Sequence, residues 1–557
     1  MKKFCLLISL VLMFQSKIAF ARTEYNFYDD PSHHHAHLNF KTKKSHKKAL
    51  KLNIPFPKTE EFIVKKFKLN NVIIESNPTN IKVDTIYKPY LNKIVAHKDL
   101  KEIISRINAR LHDNGLILSF AYVSNQSIDE GNVTIKIVNG KIRDVKIISD
   151  ANVSQNKLFN DYVSNILKME PVYNDELQKN IHLINLIPGY NVKYNLEPIE
   201  DSHDPEEIAD LIFIIDKEAG DISFTANNQG TKSIGKYQYY SLANLYNSFN
   251  SNEKISIHAG STNEFDALKI ATFAVEKFIN SYGTTASLLG SYIEDNPYVV
   301  LPGSADKNKS TLFIGTIGHY LLLKKQNSFQ ITGGYEHRDS ENNTVGSKLS
   351  SLRYGNVFIG SNIEFLDPIK GNNYLALRHH RSIPGQTTIK RYTSDADILD
   401  RNYNFTTIDL YREQDLYKNL SLFNQLVSQF GSKNIPIEQK FFVGGLTTGR
   451  GYKNGLLASN RGLDFSAELR YSFFYNNLIK EIQPYGFYDV AKFSKSSATS
   501  NKSTLQSAGL GLRVKTHNDF SLLIESGIPF TRKVTVEEIE HHNSNKFSFL
   551  ASKEFRF

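Results

Sequence analysis

Cysteine, methionine and tryptophan are nearly absent from this chain, and no long apolar run occurs in it. The 557 residues include one cysteine, Cys5, three methionines and no tryptophan. Disulfides, thiol nucleophiles and cysteine-bound metals are therefore not expected. Only 40% of the residues are hydrophobic, and no stretch reaches the roughly eighteen apolar residues of a membrane-spanning helix. The sequence thus excludes a helical membrane protein.

Charge and aromatic content narrow the classes further. Lysine and arginine exceed the acidic residues by 67 to 57, which is too small an excess to indicate a nucleic-acid partner. The 29 tyrosines and 36 phenylalanines argue against a disordered chain. No nucleotide motif, Gly-x-Ser-x-Gly elbow or His-Glu-x-x-His motif occurs, so we expect no enzymatic activity, cofactor or metal. His379-His380 is read as a structural pair rather than a ligand set.

The first residues have the pattern of an export signal. Lys2 begins a short basic region, and the apolar run Phe4–Phe14 follows it. A small-x-small cleavage pattern ends at Ala21. We therefore predict a signal peptide over residues 1–21 and export of the remaining chain. An exported chain with many strand-like segments is either a secreted β protein or an outer-membrane barrel, because only helices and closed barrels satisfy their backbone in lipid.

Three regions precede the strand-rich part of the chain. Residues 22–61 are rich in histidine and lysine and are predicted to be a linker. Residues 62–140 and 141–219 each combine strand and helix patterns, which predicts two small α/β units. Gly115 stands where the helix of the first unit should end. The apolar residues of that helix share one face: Leu100, Ile103, Ile104, Ile107 and Leu111.

Residues 220–557 carry about sixteen segments that alternate apolar and polar side chains, separated by clusters of Gly, Asn, Asp and Ser. Residues 461–473 are the clearest example. This pattern is typical of a transmembrane barrel of antiparallel strands with a wet lumen, which tolerates charges that have no evident partner. The longest connection without a predicted strand is 431–460, and long connections of this kind are usually functional. The polar face of the clearest segment holds Gly462, Asp464, Ser466, Glu468, Arg470 and Ser472.

This long connection contains Gly449-Arg450-Gly451-Tyr452. Glycines on both sides of an arginine allow a tight backbone turn around a side chain that is always charged. A buried arginine needs a partner. Asp489 offers one, because period-two alternation places Tyr488 on the lipid side and Asp489 in the lumen. An exposed loop-tip arginine and a solvated lumen aspartate remain the alternative reading.

The motifs together resemble the transporters of two-partner secretion, the TpsB family of haemolysin secretion and activation proteins, within the superfamily of the outer-membrane insertase. The Gly449–Tyr452 motif is similar to the tip of the loop that folds into the family's barrel. Phe487-x-Asp489 resembles the inward strand motif that receives its arginine. The other matching residues are the first-strand signature Asn228, Gly230, Gly235 and Asn244, and the C-terminal insertion signal Phe555 and Phe557.

The resemblance implies a sixteen-stranded outer-membrane barrel with the loop between strands eleven and twelve and Asp489 on strand thirteen. It implies that residues 62–140 and 141–219 are POTRA domains in the periplasm. These would capture the N-terminal secretion domain of one large exoprotein, of haemolysin or adhesin type, which would then pass through the pore. Arg450 and Asp489 would form a latch rather than a catalytic pair. A pore-plugging helix within 22–61, outer-membrane lipid contacts and use of the outer-membrane insertion machinery are implied as well.

Two other functions compete with secretion. An insertase that assembles outer-membrane proteins usually carries more POTRA domains than the two for which this chain has room. A passive solute channel, which belongs to another class, would not need the two α/β units. The presence of two α/β units, together with the order of the motifs, therefore favours the secretion pore.

Overall fold

The computed structural model describes residues 66–76, 81–124, 126, 128–149, 153–199, 204, 206–231, 234–296, 307–324, 326–344, 347–391, 401–432, 434–447, 449–494, 504–531 and 545–557. The predicted signal peptide and the linker with its possible plug helix, 1–21 and 22–61, lie outside these residues and stay predictions. The described residues form two compact units, which divide between Glu218 and Ala219.

The first half of the N-terminal unit packs helices on small sheets. Strand β2 pairs in parallel with β5, whose other edge carries β4, and β1 pairs with β3. Helix α2 buries the five apolar residues of its predicted face and ends before Gly115, which has φ +85°. The element bounds are β1 Lys66–Lys68, β2 Asn71–Glu75, α1 Asp84–Tyr87, β3 Ile94–Ala96, α2 His97–Asp113, β4 Phe120–Tyr122 and β5 Asn132–Val138.

The second half repeats this construction with two helices. Strand β8 lies in the centre of its sheet, parallel to β6 and antiparallel to β7. Apolar faces of both helices are buried, with Phe159 and Phe213 in edge-to-face contact. The bounds are β6 Lys141–Ile148, α3 Lys157–Leu167, α4 Asn174–Asn185, β7 Tyr190–Pro198 and β8 Glu207–Lys217.

The second unit is a closed antiparallel barrel of sixteen strands, which confirms the predicted fold class. The last strand pairs with the first and closes the ring. In chain order the sixteen strands are β9 Gly220–Asn227, β10 Gln238–Tyr246, β11 Glu253–Thr262, β12 Leu268–Phe278, β13 Thr284–Asp295, β14 Asn308–Lys324, β15 Asn327–Thr344, β16 Ser347–Leu366, β17 Asn372–Ser382, β19 Asn404–Tyr417, β20 Leu420–Gly431, β23 Gly462–Tyr471, β25 Ile479–Phe493, β26 Thr504–Thr516, β27 Phe520–Pro529 and β28 Lys546–Arg556.

Four short strands accompany this ring. β18 (Thr388–Arg391) pairs with residues 350–353 near the start of β16, and β24 (Phe473–Phe474) continues β23 along β25. The prediction of a strand-free connection over 431–460 is wrong, because β21 (Phe441–Val443) and β22 (Leu457–Ser459) form a small antiparallel pair within it. Strands of three residues are too short to show a period in the sequence. Among the described residues, none of the helices has the length and apolar character needed to cross a membrane.

Candidate functional site

The segment between β20 and β23, residues 432–461, packs against the inner wall of the barrel; we call it the infolded segment. Five of its apolar side chains form a buried cluster with wall residues from β25 and β26. The cluster consists of Phe441, Val443, Tyr452, Leu456 and Leu457 from the segment and Ala491, Phe493 and Leu505 from the wall. The segment is therefore held inside the ring by a small apolar core of its own.

The two glycines of the predicted motif allow the close approach of Arg450. Gly449 has φ +58°, a backbone conformation that side chains with a Cβ rarely adopt. A Cβ on Gly451 would lie 2.7 Å from Cβ of Ser507, so only glycine fits against the wall there. The turn brings the Arg450 backbone N–H to Asp489, to which it donates a hydrogen bond of 2.9 Å.

The Arg450 side chain is surrounded by acceptors and is only 3% exposed. Its Nε and Nη2 donate to the two oxygens of Asp489, at 3.0 and 2.7 Å, and Nη2 also donates to Ser466 at 2.7 Å. Its Nη1 donates to Glu468. The guanidinium lies 3.7 Å from the ring centroid of Phe487, within the range of a cation–π contact. The structure thus brings together all the residues expected on the loop tip and its strand partner.

Two further arginines extend this network along the lumen. Arg513 Nη1 donates to Glu468 at 3.0 Å, and Arg470 donates to the same carboxylate at 2.6 Å. Arg470 also lies 3.7 Å from Glu413, and Arg450 lies 3.8 Å from Glu525. Glu468, Arg470 and Arg513 are therefore paired in the lumen, which corrects for these residues the expectation of charges without a partner.

Sequence reasoning placed Glu468 and Arg470 on the inward face but assigned them no role. Their signal was present: an acid and a base two residues apart on one face of β23, beside the strand that carries Asp489. Arg513 gave no such local signal, because its contact with Glu468 joins residues that are far apart in sequence.

Tyr452 anchors the other side of the motif. Its side chain is fully buried, and its hydroxyl donates to the backbone oxygen of Gln506 at 2.7 Å and accepts from the backbone N–H of Thr531 at 3.0 Å. The segment tip is thereby tied to β26 and to the residues after β27.

The first-strand signature lies at the closure of the ring rather than at the Arg450 network. The Asn228 side chain donates to the backbone oxygen of Phe547 at 2.9 Å and accepts from the N–H of Phe549 at 3.0 Å. It thereby continues the pairing of β9 with β28 by one more position. A Cβ on Gly230 would lie 2.0 Å from the backbone oxygen of Gly235, which itself has φ +104°.

Asn244 and the C-terminal aromatics lie at the opposite end of the same strands. Asn244 donates to Asp221 at 2.9 Å and accepts from Ser256 at 2.7 Å, so it bridges β9 and β11. Phe555 is 52% exposed on the outer face, in edge-to-face contact with Phe224, and Phe557 is 56% exposed. These residues stabilise strand closure and take no part in the arginine network.

The two neighbouring histidines of β17 face opposite sides of the barrel wall. His380 is buried and stacks on Phe405 with 4.5 Å between ring centroids, while His379 faces outward and contacts Thr406. Within the described part of the chain, no group of three or more His, Cys, Asp or Glu could hold a metal ion.

Family models match most of the chain. Residues 216–514 match the haemolysin secretion/activation protein family ShlB/FhaC/HecB, and residues 62–140 match the POTRA domain of ShlB type. A similar relative is the heme/hemopexin transporter protein HuxB of Haemophilus influenzae strain 86-028NP. It is 23% identical over 488 residues, which cover 84% of this chain and 85% of HuxB.

Solved structures share the fold. CdiB from Escherichia coli superposes with a TM-score of 0.75 at 14% identity, covering 97% of this chain and 98% of CdiB. CdiB from Acinetobacter baumannii gives a TM-score of 0.66 at 14% identity, covering 97% and 99%. Since the ShlB/FhaC/HecB model spans more than half of the residues, the chain belongs to the haemolysin secretion/activation family, the outer-membrane transporters of two-partner secretion.

Proposed function

We propose that this two-partner secretion pore captures one large exported protein with its N-terminal unit and threads it through the barrel, and that the Arg450 network latches the infolded segment. The observation that carries the proposal is a buried arginine with five hydrogen bonds in a segment that stands inside the pore. A passive solute channel has no need of such a fastening.

The capture step rests on free sheet edges. We assign residues 62–140 and 141–219 to two periplasmic POTRA domains. In the second sheet the outer strands β6 and β7 each pair on one side only among the described residues. Ile148 of β6 and Ile214 of β8 are register partners and are 58% and 42% exposed. An extended client segment could add to such an edge and cover these side chains.

The holding role of Arg450 rests on its ion pairs with buried carboxylates. Removing Arg450 would leave Asp489, Glu468 and Glu525 facing one another with less positive charge, at a cost of about 3–5 kcal/mol for a broken buried pair. The bidentate geometry with Asp489 also fixes the direction of the side chain. We therefore assign Arg450 and Asp489 a holding role, not a catalytic one.

The cargo is proposed from the family description. A haemolysin- or adhesin-type exoprotein with an N-terminal secretion domain fits a haemolysin secretion and activation family. The name of HuxB adds haem- or hemopexin-binding proteins to the cargo types worth testing. For biogenesis, we propose that Phe555 and Phe557 form the signal for the outer-membrane insertion machinery.

Deleting residues 62–218 tests the capture step. We expect a barrel that still inserts, as judged by heat-modifiable migration in gels, but no longer exports a large haemolysin-type exoprotein of the same organism. The full chain in the same cells is the control. Normal export by the shortened barrel would exclude capture by the N-terminal unit.

A further inference from the structure

The infolded segment also reaches two places far from Arg450. Gln439, in a short turn before β21, donates to Glu336 at 2.7 Å and to the hydroxyl of Tyr354 at 2.8 Å. At its other end, Asn454 donates to the backbone oxygen of Gln229 at 3.0 Å. The first contact is on β15 and β16, the seventh and eighth strands, and the second lies where the sixteenth strand meets the first. The segment therefore spans the lumen from one side to the other.

The contact on β15 and β16 differs in kind from the Arg450 network. It joins the neutral amide of Gln439 to the wall, and the Glu438 carboxylate accepts a hydrogen bond from the Ser340 hydroxyl at 3.2 Å. Tyr354 also donates to Glu336 at 3.4 Å, so these wall residues keep a hydrogen bond to each other when the amide leaves. Departure of Arg450 would instead separate a guanidinium from several buried carboxylates. A displacement of the segment would therefore begin at Gln439, with Arg450 as its pivot.

The apolar contact near Gln439 is also one that another side chain could replace. Ile435 is fully buried against Tyr403 and Phe405 of the wall. Such contacts have no fixed direction, so any apolar side chain of similar size would replace Ile435. We call residues 434–440 the arm, and the wall residues it covers the arm site: Glu336, Tyr354, Asn356, Tyr403 and Phe405.

The arm site has hydrogen-bonding capacity that the arm does not use. Among the described residues, no acceptor faces the amide nitrogen of Asn356, although this side chain is fully buried. Buried polar groups are normally satisfied, and an extended peptide presents both a donor and an acceptor at each residue.

We propose that the arm site is a binding site for the extended client in the lumen, and that the arm is a placeholder that leaves it during export. The site takes a polypeptide segment with aliphatic and amide side chains, the chemistry that Ile435 and Gln439 present to it. This rests on the proposed secretion function and adds the route: the client passes between the arm and the wall of β15, β16 and β19, while Arg450 stays in place.

A reversible tether tests the proposal. Glu336→Cys with Gln439→Cys places two thiols across the arm contact, and a short disulfide-forming bifunctional reagent joins them. The probe is an epitope-tagged large exoprotein of the same organism, of the haemolysin type that the proposed function assigns. We expect export to be lost on tethering and to return on reduction. The matched control, Thr272→Cys with Ser291→Cys, replaces two side chains of β12 and β13 that lie 3.0 Å apart and outside the arm site. It carries the same reagent from wall to wall, leaves the arm free and should export.

Unchanged export by the tethered chain would overturn the proposal, and so would equal loss in the wall-to-wall control. If the unaltered chain does not export the probe, the secretion function itself fails, which is a separate result. As a second measurement, a photo-crosslinking phenylalanine analogue at Tyr354 should capture the probe during export, whereas the same analogue at the outward-facing Tyr488 should not. Absence of any adduct at position 354 during active export would contradict client binding there.

Discussion

The two units of this chain bury opposite kinds of residue. In the N-terminal unit the interior is aliphatic, and the buried polar residues among those described are Ser119, Asn156, Asn180 and Asp210. In the barrel, arginines, acids and amides are buried in the lumen, while large apolar residues such as Leu510 and Ile359 are exposed by 73% and 67% on the outside. The N-terminal unit buries its apolar residues away from water, whereas the barrel turns its apolar residues outward, as a barrel in lipid does.

The difference separates fold stability from function. The apolar interior holds the N-terminal unit together mainly by burial. The barrel is held by its closed backbone ladder, so its lumen side chains are free to serve the segment that stands inside it. Substitutions of lumen charges should therefore affect how the infolded segment is held. Substitutions of buried apolar residues in the N-terminal unit should affect the stability of that unit.

The largest expected effect is at the latch. Arg450→Ala and Asp489→Ala should each cost about 3–5 kcal/mol in holding the infolded segment, because each leaves buried charge unpaired. Protease access to the segment and export of the large exported protein are the measurements. The double variant should be no worse than the worse single one, and strictly additive losses would argue against a shared contact. Arg461→Ala, at the exposed return to β23, is the control.

The aliphatic interior should be nearly as sensitive. Ile107 of α2 is fully buried, and Ile107→Ala should destabilise the N-terminal unit by about 2–5 kcal/mol through lost contacts and a cavity. Hydrogen exchange of this unit in the full chain measures the loss. Ile94→Ala, at a position that is 73% exposed, should change little. Equal losses at both positions would mean that burial does not set stability there.

A charge introduced on the outer face of the barrel tests whether the exposed apolar residues there contact lipid. Leu510 lies in the middle of β26, and Leu510→Lys should cost about 2–4 kcal/mol if this face contacts the membrane core. Thr516→Lys, on the same face at the end of the strand, should cost at most about 1 kcal/mol. Urea unfolding in lipid bilayers provides the comparison, and the opposite order would contradict a lipid-facing belt.

The smallest effect concerns pH and Asp210, the one buried acid among the described residues of the N-terminal unit. Asp210 accepts two hydrogen bonds from Arg143, at 2.9 and 2.6 Å, which lower the pKa of its carboxyl. A lowered pKa in the folded state contributes stability above the unfolded carboxyl pKa of about 4, and that stability is lost as the pH falls through the folded value.

Asp210→Asn should therefore remove part of the acid sensitivity of this unit and cost about 1–3 kcal/mol at neutral pH. Melting of the full chain between neutral and acidic pH is the measurement. Asp216→Asn, whose side chain is 62% exposed, is the control and should leave the pH profile as it is. An unchanged profile in the Asp210 variant would contradict the role assigned to this pair.

The alternation of apolar and polar residues predicted the long barrel strands well. The clearest predicted segment, 461–473, contains β23, Gly462–Tyr471, because a ten-residue strand between lipid and water shows its period of two clearly. β18 was missed, since four residues cannot show that period. The pair of β21 and β22 was missed for the same reason.

The candidate site was predictable in part. Arg450 and Asp489 are joined by family resemblance and by the inward position of Asp489. Glu468, Arg513 and the arm site were not predicted, because their contacts depend on the stagger of the strands and on the path of the infolded segment, which no local pattern records.

The sequence by itself determined the barrel, its strand number and the faces of its strands, because lipid on one side and water on the other impose a period on every strand. Only the tertiary structure decided which lumen charges meet and where the infolded segment touches the wall. Those contacts join residues as far apart as Glu336 and Gln439, and their energies depend on distances of a few ångströms that composition and periodicity do not contain.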